Sequence, residues 1–109
     1  MDTELHAKWQ DYLFLTQEMK KFLVKRELDI FFSLLEQRQT LQTELEEFSD
    51  NKFYTMPEGK ALLVQIQQEN QKMMTQFHAV FNGMKKQESV SRAYEGMSNF
   101  AGSFINNRT

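Results

Sequence analysis

The residues able to do chemistry are few and scattered. There are two histidines, His6 and His78, and no cysteine. Neither histidine is followed four residues later by a second histidine or a carboxylate, the spacing that lets one helix face hold a metal ion. Both read as ordinary surface or boundary side chains, and no metal site is expected. The lack of cysteine removes a thiolate zinc site, a thiol nucleophile and a disulfide scaffold together. No glycine-rich loop follows a strand, so no phosphate cradle is expected. Carboxylates are plentiful, but Glu44, Glu46 and Glu47 stand at polar positions, where such runs form a solvated helix face. The inventory points to a chain without cofactor or catalytic residues.

One enzyme reading has some support. Arg26-Glu27-Leu28-Asp29 and Leu34-Leu35-Glu36-Gln37-Arg38 are similar to segments of small helical chorismate mutases. A site of that type needs further cations to hold a dicarboxylate. After Arg38 no cation occurs until Lys52, in an expected loop, so this is the weakest of the functional alternatives. Arg38 still stands out, because it interrupts an apolar face. Either its stem lies along the core with its head in water, or it is a fixed donor at the edge of a groove.

The elements that would position these residues are helices. Leu5, Trp9, Tyr12, Leu13, Met19, Phe22 and Leu23 recur in three- and four-residue steps and predict a helix over 3–25. Asp29 is a candidate cap for a second helix over 29–48, carrying Phe31, Leu34, Leu35, Arg38, Leu41, Leu45 and Phe48. The short connection makes these two antiparallel neighbours. Thr55-Met56-Pro57-Glu58 has the spacing of a capping box with proline in the first turn. It opens a third helix expected over 56–88, where Leu63, Ile66, Asn70, Met73, Phe77, Val80 and Met84 keep a 3.5-residue repeat. Asn70 on this seam either fixes register or meets a polar group of a partner. Beyond it, Ser, Asn and Gly accumulate, and 90–105 reads as a weak amphipathic helix. The fold class is therefore all-α, an antiparallel bundle of three long helices plus a short C-terminal helix in a single domain.

Composition narrows the class further. Thirteen Lys and Arg against fifteen Asp and Glu, spread along the chain, do not make the basic stripe that nucleic acid requires. No apolar run reaches the roughly 18 residues of a membrane span. The acidic start Met1-Asp2-Thr3-Glu4 lacks the order of a signal peptide, and a cytoplasmic location is expected. Ten Phe and seven Met are many for so polar a chain. Phe14 and Leu15, Phe32, and Met74 and Phe81 lie outside the main stripes, and a contiguous patch of such residues would mark a partner site.

Trp9-Gln10-x-Tyr12-x-x-Leu15-Thr16, then Asp29-x-x-Phe32-x-x-Leu35-x-x-Arg38-Gln39-x-Leu41, resembles the N-terminal hairpin of the flagellar type III export chaperones of the FliT and FlgN kind. Ser91-Arg92-Ala93-Tyr94 and Phe104-Ile105-Asn106 are similar to the closing segments of the same group. The resemblance implies a small non-enzymatic chaperone in the cytoplasm. Such proteins bind the C-terminal amphipathic helix of a flagellar export substrate, prevent premature assembly and deliver it to the export apparatus. FliT-like members serve the filament cap protein and FlgN-like members the hook–filament junction proteins. The length and short tail favour the FliT-like branch. In that branch the C-terminal helix can cover the client groove as an autoinhibitor.

The residues suggest how this would work. A client helix would lie between the second and third helices, in a helix-in-groove mode. Met73, Met74, Phe77 and Phe81 would form an adaptable floor. Leu34, Leu41 and Leu45 would form the facing wall with Arg38 at the rim, and Ile66 and Asn70 complete the third helix's share. Tyr94, Met97, Phe100 and Phe104 would imitate a client and occupy the groove in its absence. The competing reading is a self-associating coiled-coil adaptor or regulatory protein, with the third helix paired between two copies.

Overall fold

The computed structural model describes residues 2–47, 55–82, 90 and 92–97. They form helices α1 (Asp2–Val24), α2 (Leu28–Glu46) and α3 (Pro57–Val80), and residues 92–97 are helical as well. No strand occurs among the described residues.

Each long helix buries one heptad-like stripe. On α1 it is Leu5, Trp9, Tyr12, Thr16, Met19 and Leu23, in alternating steps of four and three. On α2 it is Phe31, Leu35, Arg38 and Leu45, and on α3 Leu63, Ile66, Asn70, Met73 and Phe77. Steps of three and four keep the stripe facing one partner. Each buried aliphatic or aromatic side chain on it stabilises the fold by about 1.5–3 kcal/mol before the loss of chain entropy.

α1 packs along both other helices. From Lys8 through Tyr12 to Thr16 on α1, the partners on α2 run from Glu44 through Gln42 back to Arg38, each at 2.9 Å. On the other flank Lys20 pairs with Glu69 of α3 at 2.9 Å. α2 and α3 stand apart: no Cα of one lies within 8 Å of the other. They meet through long side chains, including the rings of Phe31 and Phe77 at 6.0 Å and of Phe32 and Phe81 at 5.9 Å.

The apolar interior falls into two clusters. One holds Leu5, Trp9, Tyr12, Leu45, Leu63 and Ile66, with Leu13, Leu41 and Leu62 at its edge. The other holds Met19, Leu23, Phe31, Leu35, Met73, Phe77 and Phe81, and also Val90, Ala93 and Met97 from beyond α3.

Several helix ends differ from expectation. α1 stops in a Schellman motif: Glu27 N–H donates to Phe22 O at 2.9 Å and Arg26 N–H to Leu23 O at 3.0 Å. Arg26 takes the left-handed position, φ 63°, where glycine is usual. This tight reversal starts α2 at once, so Glu27 occupies the N-cap and Asp29 falls in the first turn, where its charge suits the helix dipole. At α3 the N-cap is Met56, with ψ 146°, rather than Thr55. Proline forces the preceding residue into extended backbone, so the helix begins at Pro57 itself. α3 ends at Val80 instead of running to 88: Phe81 leaves helical geometry and Asn82 stands in a turn. Phe48, Met84 and the expected helix beyond residue 97 lie outside the described residues.

Candidate functional site

Between the two apolar clusters lies one polar layer, built from one buried residue of each helix stripe. Thr16 of α1, Arg38 of α2 and Asn70 of α3 are all buried. Nη1 of Arg38 donates to Thr16 Oγ1 and to Asn70 Oδ1, both at 2.9 Å. Thr16 Oγ1 in turn donates to Tyr12 O at 2.9 Å, one helical turn back. The Arg38 guanidinium carbon sits 4.8 Å from the centre of the Tyr12 ring, a cation–π arrangement. Tyr12 Oη donates to Gln42 Oε1 at 2.9 Å.

Arg38 is 1 % exposed, so its head does not reach water and does not stand on a rim as the sequence suggested. A guanidinium on a stem this long can turn inward once a polar layer receives it. Its Nε and Nη2 have no hydrogen-bond partner. Burial disfavours its charged form and lowers its pKa, with the Tyr12 hydroxyl acting the other way. Taking such an ion from water costs several kcal/mol after relaxation. Two charge-assisted hydrogen bonds, about 1.5–3 kcal/mol each, and the ring are of the same order as that cost, with two donors still unused. Tyr12 is affected in the opposite sense: burial raises its hydroxyl pKa to about 12, despite the nearby arginine.

A further partner of the layer comes from beyond α3. Asn70 Nδ2 donates to the backbone carbonyl of Met97 at 3.0 Å, so this side chain joins Arg38 on one edge to segment 92–97 on the other. The segment occupies the space between α2 and α3 over the second cluster, with Val90, Ala93 and Met97 buried beneath it. Its approach to α2 is close: a Cβ at Gly96 would meet the side-chain amide of Gln39, the end of a flexible side chain that would have to swing aside. On the α3 side, Tyr94 lies against His78 with ring centres 5.1 Å apart. A cleft of about 570 Å³ remains beside the segment, with Phe32, Leu35, Gln39, Arg92 and Ala93 among its lining residues.

The expected groove residues divide between two places. Leu34, Met73, Met74, Phe77 and Phe81 gather in or against the second cluster, under the segment. Leu45 and Ile66 are fully buried in the first cluster against α1, with Leu41 at its edge, so they do not line the same floor. Phe81 does not extend an exposed patch but is buried, because Val90 and Ala93 close over that end. Of the four tail residues, Met97 is buried and Tyr94 is 39 % exposed, while Phe100 and Phe104 lie outside the described residues. Phe14, as expected, is exposed.

Sequence reasoning missed Thr16, Gln42, Val90 and Gly96 as members of the site. Thr16 carried a usable signal, since it fills a gap in the step pattern between Tyr12 and Met19. Among the described residues no cluster of His, Asp and Glu could hold a metal ion, and no helix is long and apolar enough to cross a membrane.

No protein-family profile matches the chain, and comparison with curated proteins and with solved structures finds no similar one.

Proposed function

We propose that this chain is a FliT-like flagellar export chaperone. In this reading its three helices form an antiparallel bundle, and a client's amphipathic helix is held between α2 and α3. The filament cap protein is the favoured client, bound in the cytoplasm and passed to the export apparatus. One observation carries the reading. α2 and α3 do not close on each other, and an amphipathic segment lies between them with Val90, Ala93 and Met97 turned inward. That is the place and the mode a client helix would take. Met73, Met74, Phe77 and Phe81 supply polarisable, adaptable contacts below it. The falling order of α2 partners along α1 supports the antiparallel arrangement.

The chain's own segment is then an autoinhibitor. A client sees only the fraction of molecules with the segment lifted, and its apparent affinity falls by that fraction. Calorimetry with a synthetic peptide of a cap protein's C-terminal helix tests this. Removal of residues 92–109 is expected to tighten binding about tenfold or more. A full-length Ala93→Asp variant, with the segment expelled, is expected to do the same. Weaker binding in both would mean that the segment completes the groove instead of blocking it.

A further inference from the structure

The buried arginine is only partly used in the closed chain. Its partners Thr16 and Asn70 are neutral, and both are served by a single nitrogen, Nη1. The donors left without a partner are Nε and Nη2. These two N–H groups lie on the same side of a guanidinium and form its side-on fork, the edge that takes both oxygens of a carboxylate in parallel. One oxygen from outside the three helices joins this layer, the Met97 carbonyl, held by Asn70 Nδ2 at 3.0 Å. A neutral carbonyl thus shares Asn70 with a desolvated cation whose fork is empty, in surroundings where a negative charge would be held far more strongly than in water.

We infer that Arg38 and Asn70 form a carboxylate receptor beneath segment 92–97, filled by an acidic group of the helix that replaces the segment. This inference rests on the groove reading above and gives its guest a chemical feature. Asn70 Nδ2 passes from the Met97 carbonyl to the guest, and the carboxylate takes the fork of Arg38. The apolar clusters on either side fix its depth along the helix. An acid at one position of an otherwise apolar stripe is therefore selected, and an all-apolar stripe is not. The acid can be a side chain or the carboxyl terminus of the guest, because both offer the same two oxygens.

The chain itself allows a test without a known guest. Met97 faces the second cluster and its peptide touches Asn70. In the full chain, Met97→Glu is expected to keep the segment docked, whereas Val90→Glu on the same face is expected to expel it. Urea denaturation of Met97→Glu, Arg38→Met and the double variant should give a coupling of at least tenfold in the folding equilibrium constant. Arg38→Lys, which keeps charge but lacks the fork, should retain only a minor part of it. Additive effects would overturn the inference.

A second arm uses peptides with the sequence of residues 90–107, titrated into the full chain. Met97→Glu is expected to bind at least tenfold more tightly than Met97→Gln, and the difference should vanish in Arg38→Met. Peptides ending at residue 97 as free acid or amide test the terminal carboxylate in the same way. Equal, measurable binding of acidic and neutral peptides would leave the groove reading standing and sink the receptor. No peptide binding together with strong coupling in the intact chain would do the reverse.

Discussion

The two ends of the bundle are built from similar residues and closed by different means. At one end, among the described residues, Leu5, Trp9, Tyr12, Leu45, Leu63 and Ile66 come from α1, α2 and α3. At the other end Met19, Leu23, Phe31, Leu35, Met73, Phe77 and Phe81 are covered only with the help of Val90, Ala93 and Met97. The first end is a core of the long helices themselves. The second is a core completed by a segment from beyond α3. A helix as short as the described 92–97, with Gly96 inside it, has little stability of its own, so its local undocking is expected well below global unfolding in free energy.

Substitutions can break or sharpen this contrast. The largest effect is expected from Trp9→Ala at the first end. Removing a fully buried indole should lower global stability by about 3–5 kcal/mol, read by urea denaturation, with amide protection lost in all three helices together.

Next is the alkaline limb of stability, which belongs to the Tyr12 side of the polar layer. The folded chain holds this hydroxyl protonated to about 12, against an ordinary 10.0. The unfolded chain therefore loses the proton first. Stability is intact below pH 10, falls between 10 and about 12, and is flat with respect to this group above that. The total is roughly 2–3 kcal/mol. Tyr12→Phe should remove this part of the fall, seen as a difference between the two proteins' urea midpoints against pH.

A smaller global effect, about 1–2 kcal/mol, is expected for Val90→Asp, because the segment escapes the penalty of a buried charge by leaving. Hydrogen exchange should then show protection lost over 92–97 and retained around Trp9. Equal loss at both places would erase the distinction between the ends.

The smallest effect concerns neither end. Arg26→Gly relieves a left-handed arginine at the α1–α2 reversal and should raise stability by about 0.5–1 kcal/mol, leaving exchange in 92–97 unchanged.

Much of this architecture was legible in the residues. Steps of three and four placed all three long helices to within a few residues at most ends, because a buried stripe leaves that spacing wherever it occurs. Arg38 and Asn70 were both marked as polar interruptions of apolar faces. Their meeting was not legible, since spacing along one helix carries no information on the level it reaches against another. The depth of Arg38 was hidden for a related reason: a long side chain can snorkel or turn inward from the same backbone position, and its neighbours decide. The α3 start was misplaced by one residue because the capping-box spacing competed with proline's demand on the residue before it, and proline prevailed. Leu41, Leu45 and Ile66 parted from the other groove candidates because a stripe records that a residue is covered and not by what.

The cover is tethered. Only eight residues, 82–89, join Phe81 to Val90. A connection that short holds its cargo at an effective concentration on the order of millimolar. A visitor present at micromolar levels must then bind intrinsically about a thousandfold better than the resident helix merely to share the site equally. Sequence features that weaken the resident, such as the glycine at position 96, set how high that threshold stands, so small changes in these few residues would retune which visitors are admitted without altering the trough itself.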